Sequence, residues 1–388
     1  PTSIPRISRL QAVLNSFRFV TVPLKVLDEY IDQYGDAIHT YIGGIYKSLL
    51  TTNPAVIRHV LQKNHRNYRK SPIQSEKMAH YLGNGLLTSD GDYWLRQRRL
   101  IQPGFHRRRL EGLTETMLEV IDGAVDRLAA GMRTEGEVDM YPHMMETAFR
   151  IMARSLFSTH LPEAELRELS DNVTRLQAFI IREIRQPLLA PWFRLSGQVR
   201  RHEAIAARSD ALLLRYIRER RASGGSYDDL LQMLLDVRYE DTGAGMTERQ
   251  LLDEATILLV AGHETSACAL TWTCYLLGRH PDVATRLQRE LDEVLGDRRP
   301  TFADLPRLRY TTQVIEESMR LYPPAWITDR VAIEDDEVAG VRIPAGTTVI
   351  VYIYGAHRAA ACWPAPDTFD PDRFAPERKK EQTPFSYL

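Results

Sequence analysis

Near the middle of a long apolar run, Ala261-Gly262-His263-Glu264-Thr265-Ser266 sets an acid and a hydroxyl among small residues. On a helix, Ala261, Thr265 and Cys268 share one face at i, i+4 and i+7, and Gly262 removes a side chain so that something flat or bulky can approach the backbone. The plainer reading is close helix packing plus a threonine that bonds back to its i−4 carbonyl. A metalloprotease is excluded by spacing, because HExxH needs a second histidine where this chain has Ala267.

Trp94 and Arg98 stand four residues apart in Gly-Asp-Tyr-Trp-Leu-Arg-Gln-Arg-Arg, so an indole N–H and a guanidinium share one helical face and can hold a carboxylate or phosphate. With Arg96, Arg99 and Arg107 to Arg109 nearby, the alternative is a basic stripe for nucleic acid. Glu317 and Arg320 form an i, i+3 pair worth only ~0.2–0.5 kcal/mol if solvated. Their apolar flanks Val314, Ile315, Met319 and Leu321 suggest a buried pair instead, which must then be fully satisfied. Arg373, in Phe-Asp-Pro-Asp-Arg-Phe, could complete such a network. There is no GxxxxGK[ST], no complete GxGxxG and no Cys/His zinc pattern.

These groups need elements to carry them. Thr247-Glu-Arg-Gln250 reads as a capping box opening a helix that runs to Gly278, a natural C′ residue before His280-Pro281. Apolar on nearly all sides from Ala255 onward, it should pass through the interior; His263 and Glu264 argue against a membrane span. Pro281 starts a second helix ending near Gly296, and a third covers about Leu308 to Leu321 before Pro323-Pro324. Leu113, Met117, Val120, Ile121, Val125 and Leu128 repeat at helical spacing, as does most of the chain from about Met78 to Tyr322. Ahead of this body, Ala37 to Ile42 and Ile45 to Thr51 read as a hairpin around Gly43-Gly44, followed by Asn53-Pro54 opening a helix towards Lys63, so the chain is expected to start with a hairpin and a helix. Val331 to Ile343 reads as short strands and Thr347 to Tyr354 as one β-branched strand.

Composition bounds the rest. The 388 residues are 44% hydrophobic and 26% charged, and 50 Lys+Arg against 51 Asp+Glu leave a net charge of −1. That is an ordinary globular chain with no global field for nucleic acid or anionic membrane. Three scattered cysteines, Cys268, Cys274 and Cys362, fit a reducing cytoplasm better than a disulfide framework. Pro1 to Leu14 has no apolar core of a signal peptide or anchor. No repeat or linker divides the chain.

Taken in order, the motifs resemble those of the cytochrome P450 family across nearly the whole chain: Trp94-x-x-x-Arg98 on its C helix, Ala261-Gly262-x-Glu264-Thr265 on its I helix, Glu317-x-x-Arg320 on its K helix, and Pro371-Asp372-Arg373-Phe374 in its meander. Gly91-Asp92-x-Trp94 with Arg98-Arg99 and Pro103-x-Phe105 resembles the branch shared by microsomal and many soluble bacterial members, and the lack of an anchor favours a soluble bacterial one. The resemblance implies one mainly α domain with small β-sheets over 1–388, β-rich at about 35–52 and 331–355, α-rich at about 54–322, with a meander at about 356–388.

It also implies a monooxygenase with heme b, which inserts one atom of O2 into a hydrophobic small molecule using electrons from a ferredoxin and ferredoxin reductase or similar donor. Trp94, Arg98 and Arg330 would bind haem propionates, and Ala261 and Gly262 would lie over the porphyrin. Thr265 would hydrogen-bond the oxygen being activated, with Glu264 relaying protons. Glu317, Arg320 and Arg373 would fix the meander. Leu176 to Phe193 takes the place of the F–G lid and Ser75 to Leu87 that of the B–C loop, with Phe179, Ile180, Leu87, Ala325 and Trp326 as pocket candidates for a fatty acid, terpenoid or polyketide.

One departure is expected to matter. The family's iron ligand is a cysteine in a Phe-x-x-Gly-x-Arg-x-Cys-x-Gly loop, and the sequence stops at Leu388, 14 residues after Phe374, before any such loop. No cysteine here has that context, so no metal ligand is assigned. The expectation is a chain cut short of its haem-thiolate segment and needing it for activity. The alternative is a haem-free relative that binds hydrophobic ligands.

Overall fold

Two helices not expected from the sequence precede the hairpin, α1 (Arg9–Thr21) and α2 (Pro23–Tyr34). Each has a local cause. The Ser8 hydroxyl accepts from the Gln11 amide at 3.2 Å, and Pro23 occupies the first turn of α2, where a missing N–H costs nothing. The computed structural model describes residues 4–158, 161–225 and 227–388, with the side chains of Arg108 and Arg109 outside the described part. Pro1 to Ser3 of the N-terminal reading, and those two arginines of the basic stripe, therefore lie outside the described residues.

β1 (Ala37–Ile42) and β2 (Tyr46–Thr51) pair antiparallel around Gly43 and Gly44, both at positive φ (60° and 74°). With β3 (Tyr68–Arg69), β4 (Thr328–Ala332) and β7 (Thr348–Val351) they make a five-stranded sheet in the order β1-β2-β7-β4-β3. β5 (Asp336–Val338) and β6 (Val341–Ile343) form a separate hairpin. The strand expected over Thr347–Tyr354 is shorter. It ends at Val351, and Ile353–Ala356 turns helical, with Gly355 seated so close to the Tyr352 ring that a Cβ would come within 2.5 Å. The sheet closes the two ends of the chain on each other: β2 runs parallel to β7, and β3 pairs with β4.

The long helix spans Glu248–Arg279, 32 residues. At 1.5 Å per residue this is about 48 Å. Gln250 N donates to the Thr247 hydroxyl at 3.2 Å while Thr247 N donates to Gln250 Oε1 at 2.9 Å, closing the capping box. The helix continues through Gly278 and stops at His280, so proline rather than glycine sets this end. The residue before proline is pushed out of the α region.

Burial along this helix is uneven. From Leu251 to Val260 all but Leu258 are buried, in a core shared with the helices Met140–Phe157, Glu163–Arg185 and Gln198–Ser223. Beyond Val260, Ala261, Thr265, Leu270, Trp272 and Tyr275 are exposed, Tyr275 at 51%. The expected passage through the interior thus holds for the first half only. Periodicity reports what a face prefers to touch, and it does not say whether the cover is polypeptide or another apolar group. No helix among the described residues is long and apolar enough to cross a membrane.

Candidate functional site

At mid-helix Thr265 donates its hydroxyl proton to the Ala261 carbonyl at 2.6 Å, and both residues are exposed on one side. They form a small apolar platform with a hydroxyl at its edge. Gly262 belongs to another side: a Cβ there would come within 2.5 Å of Met152 Sδ on the helix Met140–Phe157. The expectation that Gly262 opens the backbone to a flat group is corrected, because its missing side chain lets two helices approach.

Glu264 is held on the side of the helix Glu163–Arg185, where Gln177 Nε2 donates to Oε2 at 2.8 Å and burial pushes the carboxyl up. His263 is fully buried, its ring edge-on to Phe149 at 5.1 Å, and burial pulls it down to about 4, so it is neutral. Of the acid and hydroxyl adjacent in sequence, the hydroxyl is the one on the Ala261 face.

Seven residues before Ala261, Glu254 lies on the same face and is 2% exposed. Its Oε2 accepts from Leu86 N at 3.0 Å, and Lys70 Nζ donates to Leu86 O at 2.6 Å. An acid and an ammonium therefore hold Leu86 by its amide and its carbonyl, fixing the stretch that leads into the helix Gly91–Ile101. Neither Glu254 nor Lys70 carries a sequence signal, since no motif contains them; only the pairing of distant segments reveals them.

Burial pushes Glu254 up to about 7 from an ordinary 4.5. Charging it therefore costs stability progressively as pH rises from about 4.5 to about 7, and the whole cost, ~3 kcal/mol, is present above that. Glu254→Gln keeps an acceptor for Leu86 N and removes the charge. It is expected to raise the thermal midpoint at pH 8 and far less at pH 5, in unfolding scans at both values; equal shifts would show that charge is not the cause.

A second group of residues comes from the sheet. β3 pairs Arg69 with Val331 of β4, which sets Lys70 near Arg330. Asp329 accepts from Ser71 Oγ and Gln74 Nε2 at 2.9 Å each and ties the two segments together. Burial, then the Arg330 charge, pulls Lys70 down to about 8. Lys70 Nζ and the Arg98 guanidinium lie 5.6 and 5.7 Å from the Trp94 ring centroid. Arg330 Nη1 donates to its neighbour's carbonyl, Asp329 O, at 2.6 Å. Among the described residues Lys70, Arg98 and Arg330 form no ion pair, and the Trp94 N–H has no partner. Two cations, Lys70 and Arg98, thus flank the indole, and Arg330 stands beside Lys70, none of them with a contacting counter-charge among the described residues.

Glu317 and Arg320 are wholly buried, and Arg373 is 5% exposed. Glu317 Oε2 accepts from Arg320 Nε at 2.7 Å, and Oε1 accepts from Arg320 Nη2 at 2.8 Å, Asp370 N at 3.0 Å and Arg373 Nε at 3.3 Å. The arginines reach on to the carbonyls of His357 and Ala365, at 2.7 and 2.8 Å. This trio pins residues 357–373 to the helix Arg309–Leu321 and touches nothing of the platform.

The pocket candidates do not gather. Phe179 stacks on His202 at 3.8 Å with Tyr81 and Phe193 at its edges, and Ile180 is buried in the same core. Trp326 packs edge-on to Tyr352 in the cluster beneath α1 and α2. Leu87 packs on the main core and Ala325 is exposed. Phe179, Ile180 and Trp326 are thus committed to packing, since side chains spaced for a helix face or a turn serve a core as readily as a cavity. Of the expected B–C loop, residues 75–82 are helical and 83–87 are not. Cys268 and Cys274 on the long helix are raised by burial, and all three cysteines are free thiols.

The family model described as cytochrome P450 matches residues 5–388. "Cyclooctatin synthase" of Streptomyces melanosporofaciens is 37% identical over 94% of this chain and 78% of its own length. "Cyclooctat-9-en-7-ol 5-monooxygenase" of the same organism is 34% identical over 98% and 80%, and "Pentalenene oxygenase" of Streptomyces avermitilis 32% over 90% and 76%. Among solved structures, the heme domain of cytochrome P450DA superposes with a TM-score of 0.86 at 26% identity, covering 99% of this chain and 84% of that one.

Proposed function

The chain belongs to the cytochrome P450 family, and from that premise we propose that it is a monooxygenase inserting one atom of O2 into a terpene-type hydrocarbon or its alcohol, with electrons from a ferredoxin-type donor. The observation that carries the proposal is the open Ala261–Thr265 platform together with a cation cluster, tied to the same helix through Leu86, in which Lys70, Arg98 and Arg330 form no ion pair among the described residues. A haem, flat and apolar with two anionic arms, matches both halves of that site. When bound it supplies the redox chemistry of dioxygen.

The chain's own residues do the rest. Lys70, Arg98, Arg330 and the Trp94 N–H would hold the propionates through charge-assisted hydrogen bonds. Ala261 keeps the platform low enough for a ring to approach. The Thr265 hydroxyl is anchored by its bond to Ala261 O, which orients its oxygen to accept and pass on a proton at the platform's edge. Glu264, whose carboxyl burial pushes up, would hold a proton within the helix once Gln177 releases it. The relatives' names, two of which carry alkene endings, support an apolar substrate.

Thr265→Ala in the full-length, haem-loaded enzyme tests the assignment. Haem and substrate binding should persist, while product per NAD(P)H falls by up to roughly a hundredfold, the low end of what a positioned proton donor contributes, and hydrogen peroxide appears in the medium. Fully coupled turnover in the variant would refute the role of Thr265.

A further inference from the structure

A cleft of about 450 Å³ lies between the β1–β2 hairpin and residues 340–347, and none of the site residues described above lines it. Its charged wall consists of Arg6, Lys47 and Arg342, with His39 among them, and no Asp or Glu among the described residues lines it. Backbone pairing builds this wall. Ile7 N donates to His39 O at 2.9 Å and His39 N to Pro5 O at 3.0 Å, which brings Arg6 alongside β1. Lys47 stands opposite Tyr41 in the β1–β2 register. Arg342 enters on β6, and its backbone bonds the His39 ring.

The charges are not used elsewhere. Among the described residues Arg6 and Lys47 form no ion pair. Arg342 meets Asp335 at 3.3 Å, with side chains 72% and 61% exposed, a pair that screening leaves nearly worthless. Glu337 is opposite Arg342 in the β5–β6 register but does not line the cleft. Thr347 lines it, is 1% exposed, and its hydroxyl makes no hydrogen bond among the described residues. In a chain of net charge −1, three like charges on one concave wall mark a local site for a multiply charged anion. Donors from three separate segments suit a tetrahedral oxyanion better than a planar carboxylate, which a single arginine fork satisfies.

We propose that this cleft binds a phosphoryl group, carried either by a soluble phosphate or diphosphate or by an anionic lipid headgroup. Both sources present the same chemistry to Arg6, Lys47 and Arg342. A dianion beside His39 would also offset the burial and the Arg6 charge that hold this imidazole below its ordinary value.

Two titrations test the proposal without requiring haem. Pyrophosphate is followed by calorimetry at low salt, and binding to vesicles of phosphatidylcholine with or without phosphatidylglycerol by co-sedimentation. Lys47 and Arg342 are exposed, so Lys47→Gln and Arg342→Gln should fold normally, as circular dichroism will show. A dissociation constant for pyrophosphate below about 1 mM, weakened about tenfold by each substitution, supports a soluble ligand. Binding to phosphatidylglycerol vesicles alone, with the same loss in the variants, supports the headgroup. Neither ligand binding, or binding indifferent to both substitutions, overturns the site.

Discussion

Glu317→Ala is expected to yield protein that is insoluble or fails to retain haem. Glu317 is wholly buried and accepts from two arginines and the Asp370 amide, so truncating it leaves the guanidiniums of Arg320 and Arg373 in the interior without their carboxylate. Breaking such a group costs ~3–5 kcal/mol, a large part of the ~5–15 kcal/mol that separates typical folded and unfolded states. Glu317→Gln should be nearly as damaging, because it keeps the shape and one acceptor but not the charge. Denaturant unfolding decides the matter: a midpoint close to that of the parent protein would show that the trio contributes little.

Lys70→Met should move two properties in opposite directions. Lys70 is drawn down to about 8 from 10.5, so carrying its charge in the fold costs stability at every pH below about 8, a cost relieved as pH rises from there to about 10.5. At pH 7 the full ~3 kcal/mol applies. Losing the bond to Leu86 O returns about 1 kcal/mol of this, leaving haem-free protein more stable by about 2 kcal/mol. Haem affinity should fall by ~10–100-fold, because one charge-assisted bond to a propionate is lost. Thermal unfolding of haem-free protein and a haem titration by absorbance read the two effects. A variant less stable without haem and unchanged in haem affinity would make Lys70 a structural residue only.

Parts of this site were legible because they obey local rules. The capping box at Thr247 and Gln250, the proline that ends the long helix, and the i, i+3 pairing of Glu317 with Arg320 each depend on residues a few positions apart. Trp94 with Arg98, and Ala261 with Thr265, follow from helical spacing alone. Where sequence reading failed, a local pattern had two outlets. Gly262 could admit a flat group or a neighbouring helix, and Met152 decided it. Phe179 and Ile180 could line a pocket or fill a core, and the stack on His202 decided that.

The sequence by itself determined the mainly helical class, the long helix with its hydroxyl at mid-length, and the order of motifs that marks the cytochrome P450 family, since periodicity and capping act within a few turns. Only the tertiary structure decided where the charges meet. Lys70 and Arg330 are 260 positions apart and become neighbours through the β3–β4 register; Glu254 reaches Leu86, and Arg6 joins Lys47, only through pairing of distant segments. Electrostatic energy depends on separation in space and on the water displaced around each charge, and neither quantity is written in the spacing of residues along a chain.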